Sequence, residues 1–249
     1  MYQLPNLRSS DGLKHAISEV EDGNLAFSRG EKSEVVRNRL AFFEKAGLLP
    51  EKTVCIGVVH GTAILRVGRA EQGRGVRDPA TMAEADALVT SEPETYLMLS
   101  TGDCLPVIIY DPIRRAVGVA HLSWLNTEKQ FAAKLIGYFA EVFGSSPSDL
   151  QVGIGPCIAK ESYIFPAETL RNRRLDWGKF LRPLPENQIA VDLLGFNLAQ
   201  IEEAGVRAEN IETSGIDTAA DPRFFSHYRA VRTGEPEGRF STVAGLVEK

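Results

Sequence analysis

The chain has 249 residues, 43% hydrophobic and 24% charged, with a formal net charge of −5 and a pI near 5.5. That length and apolar content suit one substantial core, so a single domain over residues 1–249 is expected, and the acidic balance argues against a nucleic-acid surface. No run reaches the eighteen or so apolar residues that cross a bilayer, and the opening MYQLPNLRSSDG lacks the pattern of a secretory leader. Three cysteines, Cys55, Cys104 and Cys157, do not make a disulfide framework and fit a reducing cytoplasm. Neither a nucleic acid nor a membrane is therefore expected as a partner.

In chain order, Gly23 to Ser28 is strand-like. Glu31 to Ala46 has helical spacing, with Val35, Val36, Leu40 and Phe43 on one face and Gly47 just past its end. Thr53 to Val59 is a continuous β-branched run, as for a strand buried on both faces, and it emerges at His60-Gly61. His60 there suits either a metal ligand or a strand-end histidine bonded to a carbonyl. Residues 68 to 82 are rich in Gly and Arg and read as an exposed loop. Strand signals return at Ala85 to Thr90 and at Tyr96 to Ser100.

The chemistry concentrates in Ser100 to Trp124. Asp103-Cys104 precedes an apolar strand, Leu105 to Tyr110; Asp111-Pro112 signals a type I turn; and Ala116 to Ala120 leads into His121. With Pro112 and Ile113 as central turn residues, Cys104 and His121 face each other directly, Cβ atoms roughly 5 Å apart. A thiolate and an imidazole at that separation can share one zinc ion, whereas a one-residue slip would send one of them to the other face. The same pair also reads as a buried structural cysteine and a capped histidine.

A helix is expected from about Thr127 to Phe143, with Phe131, Leu135, Phe139 and Val142 as its buried stripe. Leu150 to Ile154 is a strand feeding the tight turn Gly153-Ile154-Gly155-Pro156-Cys157, which lacks the lysine or spacing of a phosphate loop. Pro166 to Gln188 reads as a helix with an excursion. Val191 to Ala204 is an amphipathic helix stopped by Gly205, and Ile211 to Ser214 is a strand. Near the end, Ser226, His227, Arg229 and Arg239 are polar groups between strand-like runs.

Taken together, Asn38-Arg39, His60-Gly61, Ala85-Asp86-Ala87-Leu88-Val89-Thr90, Asp103-Cys104 with Pro106, and Ala120-His121 with Trp124 resemble the YfiH-type laccase-domain family. Ile154-Gly155-Pro156, Val191-Asp192-Leu193, Phe225-Ser226 with Arg229, and Gly238-Arg239-Phe240 extend the resemblance over nearly the whole chain. That family is labelled multicopper polyphenol oxidase and is also described as purine nucleoside phosphorylase-like. The resemblance implies an α/β (α+β) fold, a four-layer α/β/β/α sandwich with mixed β-sheet, also called cytotoxic necrotizing factor-like hydrolase. It implies one zinc ion per chain on His60, Cys104 and His121, with copper the less favoured metal. It further implies a small-molecule substrate, through phosphorolysis of adenosine, inosine or methylthioadenosine, with adenosine deamination.

In that setting Asp103, Cys104 and His121 are the expected catalytic residues, and Ser226, Arg229 and Arg239 the expected substrate-binding ones. Two other readings stand beside this one: a cysteine hydrolase or peptidoglycan-precursor editing amidase with Cys104 as nucleophile and His121 as base, and a non-catalytic metal-binding homologue. Four histidines and three methionines cannot furnish a multicopper oxidase, which needs many imidazoles and a separate electron-transfer centre. The chain also departs from the family pattern. Val58 replaces a usual glutamine, Ser123, Leu125 and Asn126 replace Gly, Arg and Gly after the second histidine, and Asp217-Thr218 replaces Cys-Thr. A leucine cannot reproduce a guanidinium's fork of donors, so Leu125 predicts impaired phosphorolysis if that arginine binds anions.

Overall fold

Side chains in a strand alternate between faces, so a strand apolar at every position must be covered on both sides. The strands Leu105–Asp111 and Ala116–Leu122 are buried throughout. Val107 and Ile109 face one core while Ile108 and Tyr110 face another. The computed structural model, which describes residues 1–170 and 177–248, shows what covers each face.

Those two strands lie at the middle of a six-stranded sheet, in the order Ile211–Thr213, Gln151–Ile154, Leu105–Asp111, Ala116–Leu122, Ala87–Thr90, Ile64–Arg66. A five-stranded sheet runs Leu13–Ile17, Phe240–Leu246, Tyr96–Thr101, Thr53–Gly57, Ala83–Glu84. Both mix parallel and antiparallel pairs. Leu97, Leu99, Ala244 and Leu246 meet Ile108, Val117 and Val119 between the sheets. The outer face of the five-stranded sheet packs Met98 and Val243 on Phe42 and Phe43 of the helix Lys32–Ala46. The outer face of the six-stranded sheet packs on Phe131, Leu135 and Phe139 of Phe131–Phe143 and on Ile201 of Leu193–Glu203. The order is helix, sheet, sheet, helix, as the resemblance implied. A small third sheet, Ile164–Pro166, Gln188–Val191 and Leu181–Leu184, packs against the core on the outer side of the six-stranded sheet.

Three local expectations change. Gly23 to Ser28 is not a strand but coil ending in the 3₁₀ turn Phe27–Arg29. The reason is Arg39, which sequence spacing left outside the buried stripe and which is only 1% exposed. Its guanidinium donates to the carbonyls of Leu25 (2.7 Å), Gly75 (2.6 Å) and Val76 (3.1 Å) and lies 4.2 Å from the Phe27 ring centroid. Both flanking loops fold over it, so Val76 of the Arg-rich loop is buried too. The helix expected from Thr127 is two helices, Trp124–Thr127 and Phe131–Phe143, broken by Gln130 in the left-handed region (φ 55°). Part of the Pro166 to Gln188 excursion, residues 171–176, lies outside the described residues.

His15 illustrates how tightly the core is closed. Its Nε2 accepts the Leu4 amide at 2.9 Å, and burial pushes its pKa down to about 4. Below the ordinary value of 6.5 the unfolded chain takes up a proton that the folded protein refuses until about pH 4. Stability is therefore expected to fall across that window by roughly 3 kcal/mol from this group. In urea titrations between pH 7 and 4, His15→Gln, which keeps an acceptor for Leu4, should flatten this part of the acid limb; parallel curves would refute the assignment.

Candidate metal centre and its cavity

Three connections carry the chain between the two large sheets, and they converge. Residues 58–63 lead from Thr53–Gly57 to Ile64–Arg66, residues 85–86 lead from Ala83–Glu84 to Ala87–Thr90, and residues 102–104 lead from Tyr96–Thr101 to Leu105–Asp111. They bring His60, Asp86 and Cys104 to one end of the sandwich, beside His121 near the end of its strand. The ligand atoms of His60, Cys104 and His121 all lie within 4.8 Å of one another. The two imidazoles meet edge-on with centroids 4.9 Å apart. Among the described residues no other trio of His, Cys or carboxylate side chains is so arranged.

The hairpin does not have the expected register. Pro106, not Cys104, is opposite His121, and the loop has four residues rather than two. Asp111 Oδ1 accepts the amides of Ile113 and Arg114 (2.8 Å each), and Arg115 adopts φ 51°, which together extend the turn. A shift of two residues preserves the face each side chain takes. Cys104, in the bend before the strand, thus stays on the His121 side.

Asp86, to which sequence reasoning gave no role, organises the trio. It is fully buried. Its Oδ1 accepts the His60 amide (3.0 Å) and faces His121 Nδ1 (2.8 Å), while Oδ2 accepts the Gly61 amide (2.6 Å). Its carbonyl accepts the His121 amide as well (2.8 Å). The carboxylate therefore fixes the His121 tautomer, leaves Nε2 for the cluster, and holds His60 in a left-handed conformation (φ 59°) that a non-glycine residue adopts only under constraint. A Cβ at Gly61 would meet Asp86 Oδ2 at 3.3 Å. The one available signal was an acid inside an otherwise apolar strand start, Ala85-Asp86-Ala87. Asn126, also fully buried, donates to the His121 carbonyl (2.9 Å) and accepts the Ser123 amide (2.7 Å), tying the short helix to the site.

Burial raises the pKa of the Cys104 thiol, but the positive charge of His121 and hydrogen bonds from His121 and His60 outweigh it and bring the value down to about 6. Burial works against the His121 charge, and Cys104 and Asp86 more than compensate, raising it. Both shifts favour the charged forms, an imidazolium facing a thiolate. Cys157, by contrast, is pushed up to about 12 by burial and by Asp217 and stays a thiol.

The cluster opens into a cavity of about 500 Å³. Trp124, Tyr163, Phe165 and Tyr228 form one wall, with Trp124 and Phe165 stacked (centroids 6.1 Å) and Tyr163 edge-on to Phe165 (4.6 Å). Arg29, Arg232, Arg239 and His227 line it too. Asp103 borders the cavity, but its carboxylate accepts the Thr218 hydroxyl (2.7 Å) and the Tyr228 amide (2.7 Å). Ser226 and Arg229 are not brought to the cavity. Ser226 caps the helix His227–Thr233 through the Arg229 amide (3.0 Å). The Arg229 guanidinium is taken by Glu235 (2.6 Å) and by the carbonyls of Thr218, Asp221 and Phe224. Leu125 is not a lining residue. Of the other histidines, His15 serves Leu4 and His227 faces Glu237.

Comparison with known proteins gives the family to which this fold belongs. "Purine nucleoside phosphorylase YlmD" of Bacillus subtilis is 30% identical over 225 residues, 87% of this chain and 78% of the relative. The crystal structure of YlmD from Geobacillus stearothermophilus superposes with a TM-score of 0.87 at 28% identity, covering 96% of this chain and 93% of that one. The Bacillus licheniformis hypothetical protein YfiH superposes with a TM-score of 0.82 at 28% identity, over 90% and 85%. With residues 12–246 matching its sequence profile, the chain belongs to the family described as multi-copper polyphenol oxidoreductase laccase.

Proposed function

We propose that the chain is a zinc-dependent enzyme that phosphorolyses purine nucleosides, acting on adenosine, inosine or methylthioadenosine, with adenosine deamination at the same site. The observation that carries this reading is one cavity uniting the His60–Cys104–His121 cluster, an aromatic wall and a cationic rim. Relatives bearing the name purine nucleoside phosphorylase support it. Multicopper chemistry is not supported, because only two of the four imidazoles converge.

His60, Cys104 and His121 would hold one ion per chain. Ligand atoms around a tetrahedral zinc stand about 3.5 Å apart, so small side-chain rotations suffice, and two imidazoles with a thiolate favour zinc over copper or a hard cation. When bound, the ion would supply a Lewis acid. The aromatic wall stacks the purine. The arginines bind phosphate and direct one of its oxygens at the sugar C1′, so that the C1′–O bond forms as the C1′–N9 bond breaks and the departing base takes up the proton that hydrogen phosphate brought. Burial and the negative Cys104 and Asp103 raise the pKa of the Tyr163 phenol, which keeps it an uncharged hydrogen-bond donor in the cavity. Asp103 acts as a positioning residue, joining the Cys104 bend to the helix that carries Tyr228 and Arg232. The arginine rim supports phosphate binding despite Leu125.

A second reading is favoured by the lowered Cys104 thiol: hydrolysis with Cys104 as nucleophile and His121 as base, as in a peptidoglycan-precursor editing amidase. Incubating metal-loaded protein with the three nucleosides, with and without phosphate, tests both. Phosphate-dependent release of base that stops on chelation is expected. Activity that survives chelation and vanishes on thiol alkylation would replace this reading with the hydrolase, and metal uptake without turnover of any nucleoside would leave a non-catalytic binder.

A further inference from the structure

We propose that Arg29, His227 and Arg239 form an oxyanion subsite for a phosphate group, gathered into one place by Glu237. A single oxygen, Glu237 Oε1, faces Arg29 Nε at 3.2 Å, His227 Nδ1 at 2.6 Å and Arg239 Nη2 at 2.9 Å. These donors come from three separate elements, the last two far in sequence from the first: the 3₁₀ turn Phe27–Arg29, the start of the helix His227–Thr233, and the approach to the strand Phe240–Leu246. Nothing in the local sequence would bring two guanidinium groups and an imidazole together, and without a shared carboxylate the two arginines repel each other.

All three donors line the cavity that holds His60 and Cys104, whereas Glu237 is not among its lining residues, so the carboxylate collects them from outside. Arg29 uses only Nε on Glu237, and Arg239 uses Nη2 there and Nη1 on the Gly238 carbonyl (2.7 Å). Arg29 thus keeps both Nη groups, and His227 its Nε2, for a ligand. Arg232, 4.2 Å from the Tyr228 ring centroid, adds a further positive charge to the same wall. Planar forks of this kind match the tetrahedral face of phosphate. Glu237 is a positioning residue in this scheme, not a ligand.

The inference deepens the phosphorolysis reading by naming its phosphate subsite, and direct binding separates the two. Calorimetric titration of the full chain with inorganic phosphate at low salt is expected to show saturable binding that Arg29→Gln weakens by about tenfold, the effect of one guanidinium in a half-exposed site. Arg74→Gln, in an exposed loop away from the cavity, should leave binding unchanged. Glu237→Ala should weaken phosphate binding as Arg29→Gln does and, in the turnover assay, raise the KM for phosphate while sparing kcat. Adenosine 5′-monophosphate as a second titrant distinguishes a free phosphate from a nucleotide's phosphoester, since the tighter of the two names the source. Phosphate binding without nucleoside turnover would sink the enzymatic reading and keep the subsite. Absence of phosphate binding, equal affinity in Arg29→Gln, or tighter binding in Glu237→Ala would overturn the subsite.

Discussion

Replacing Asp86 with alanine is expected to reduce metal affinity by about 10- to 100-fold, the range for loss of a partner that orients metal-binding histidines. The carboxylate is fully buried and serves the His60 and Gly61 amides and the His121 ring. Alanine leaves those groups without their acceptor and releases the left-handed His60 from its constraint. A stability loss of about 2 kcal/mol is expected alongside, within the usual ~1–3 kcal/mol for a buried group left unsatisfied, here the His121 ring. Asp86→Asn should be nearly as damaging, since one amide N–H₂ would point at a backbone N–H. Zinc affinity measured by chelator competition, together with urea unfolding, checks both effects. A variant that binds zinc normally would show that the histidines are held by the sheets alone.

The larger effect is expected at Cys104. Cys104→Ala removes the only sulfur of the cluster, so bound metal should fall below stoichiometry and activity by more than about a hundredfold, beyond the range for a merely orienting partner. Cys104→Ser should not restore either, because the hydroxyl stays protonated where the thiol is already drawn down to about 6 by His121 and His60 against the effect of burial. Elemental analysis of purified variants gives the stoichiometry. Full metal content in Cys104→Ala would mean that the imidazoles recruit another ligand and that the cysteine serves a different purpose.

Much of this was legible in the sequence because two periodicities carry the fold. The all-apolar strands around Ile108 and Val119 could only be central strands covered twice, and the helix ending at Gly47, with φ 61°, showed its stop in the residue itself. The residues alone offered Cys104 and His121 as a facing pair and His60 as either a ligand or a capped strand-end histidine; the family resemblance joined the three. What failed was side-chain capping within loops, which spacing does not reveal, and whatever depends on chain segments far apart. The hairpin register turned on how Asp111 caps its own loop, and only the even size of the shift kept Cys104 beside His121. Arg39 falls outside the apolar stripe of its helix, and its burial depends on loops from both sides that supply its carbonyl acceptors. Arg229 looked available to a substrate, yet its donors go to Glu235 and three backbone carbonyls. Arg29 and Glu237 gave no local sign of a role, since their meaning comes from one another across the length of the chain.

The phosphorus-31 spectrum of zinc-loaded protein turning over inosine in phosphate tests the central claim most directly. Growth of a ribose 1-phosphate signal in step with hypoxanthine, absent from Cys104→Ala, is the predicted result. Hypoxanthine released with free ribose and no new phosphoester, or no hypoxanthine at all from fully metallated protein, would contradict it.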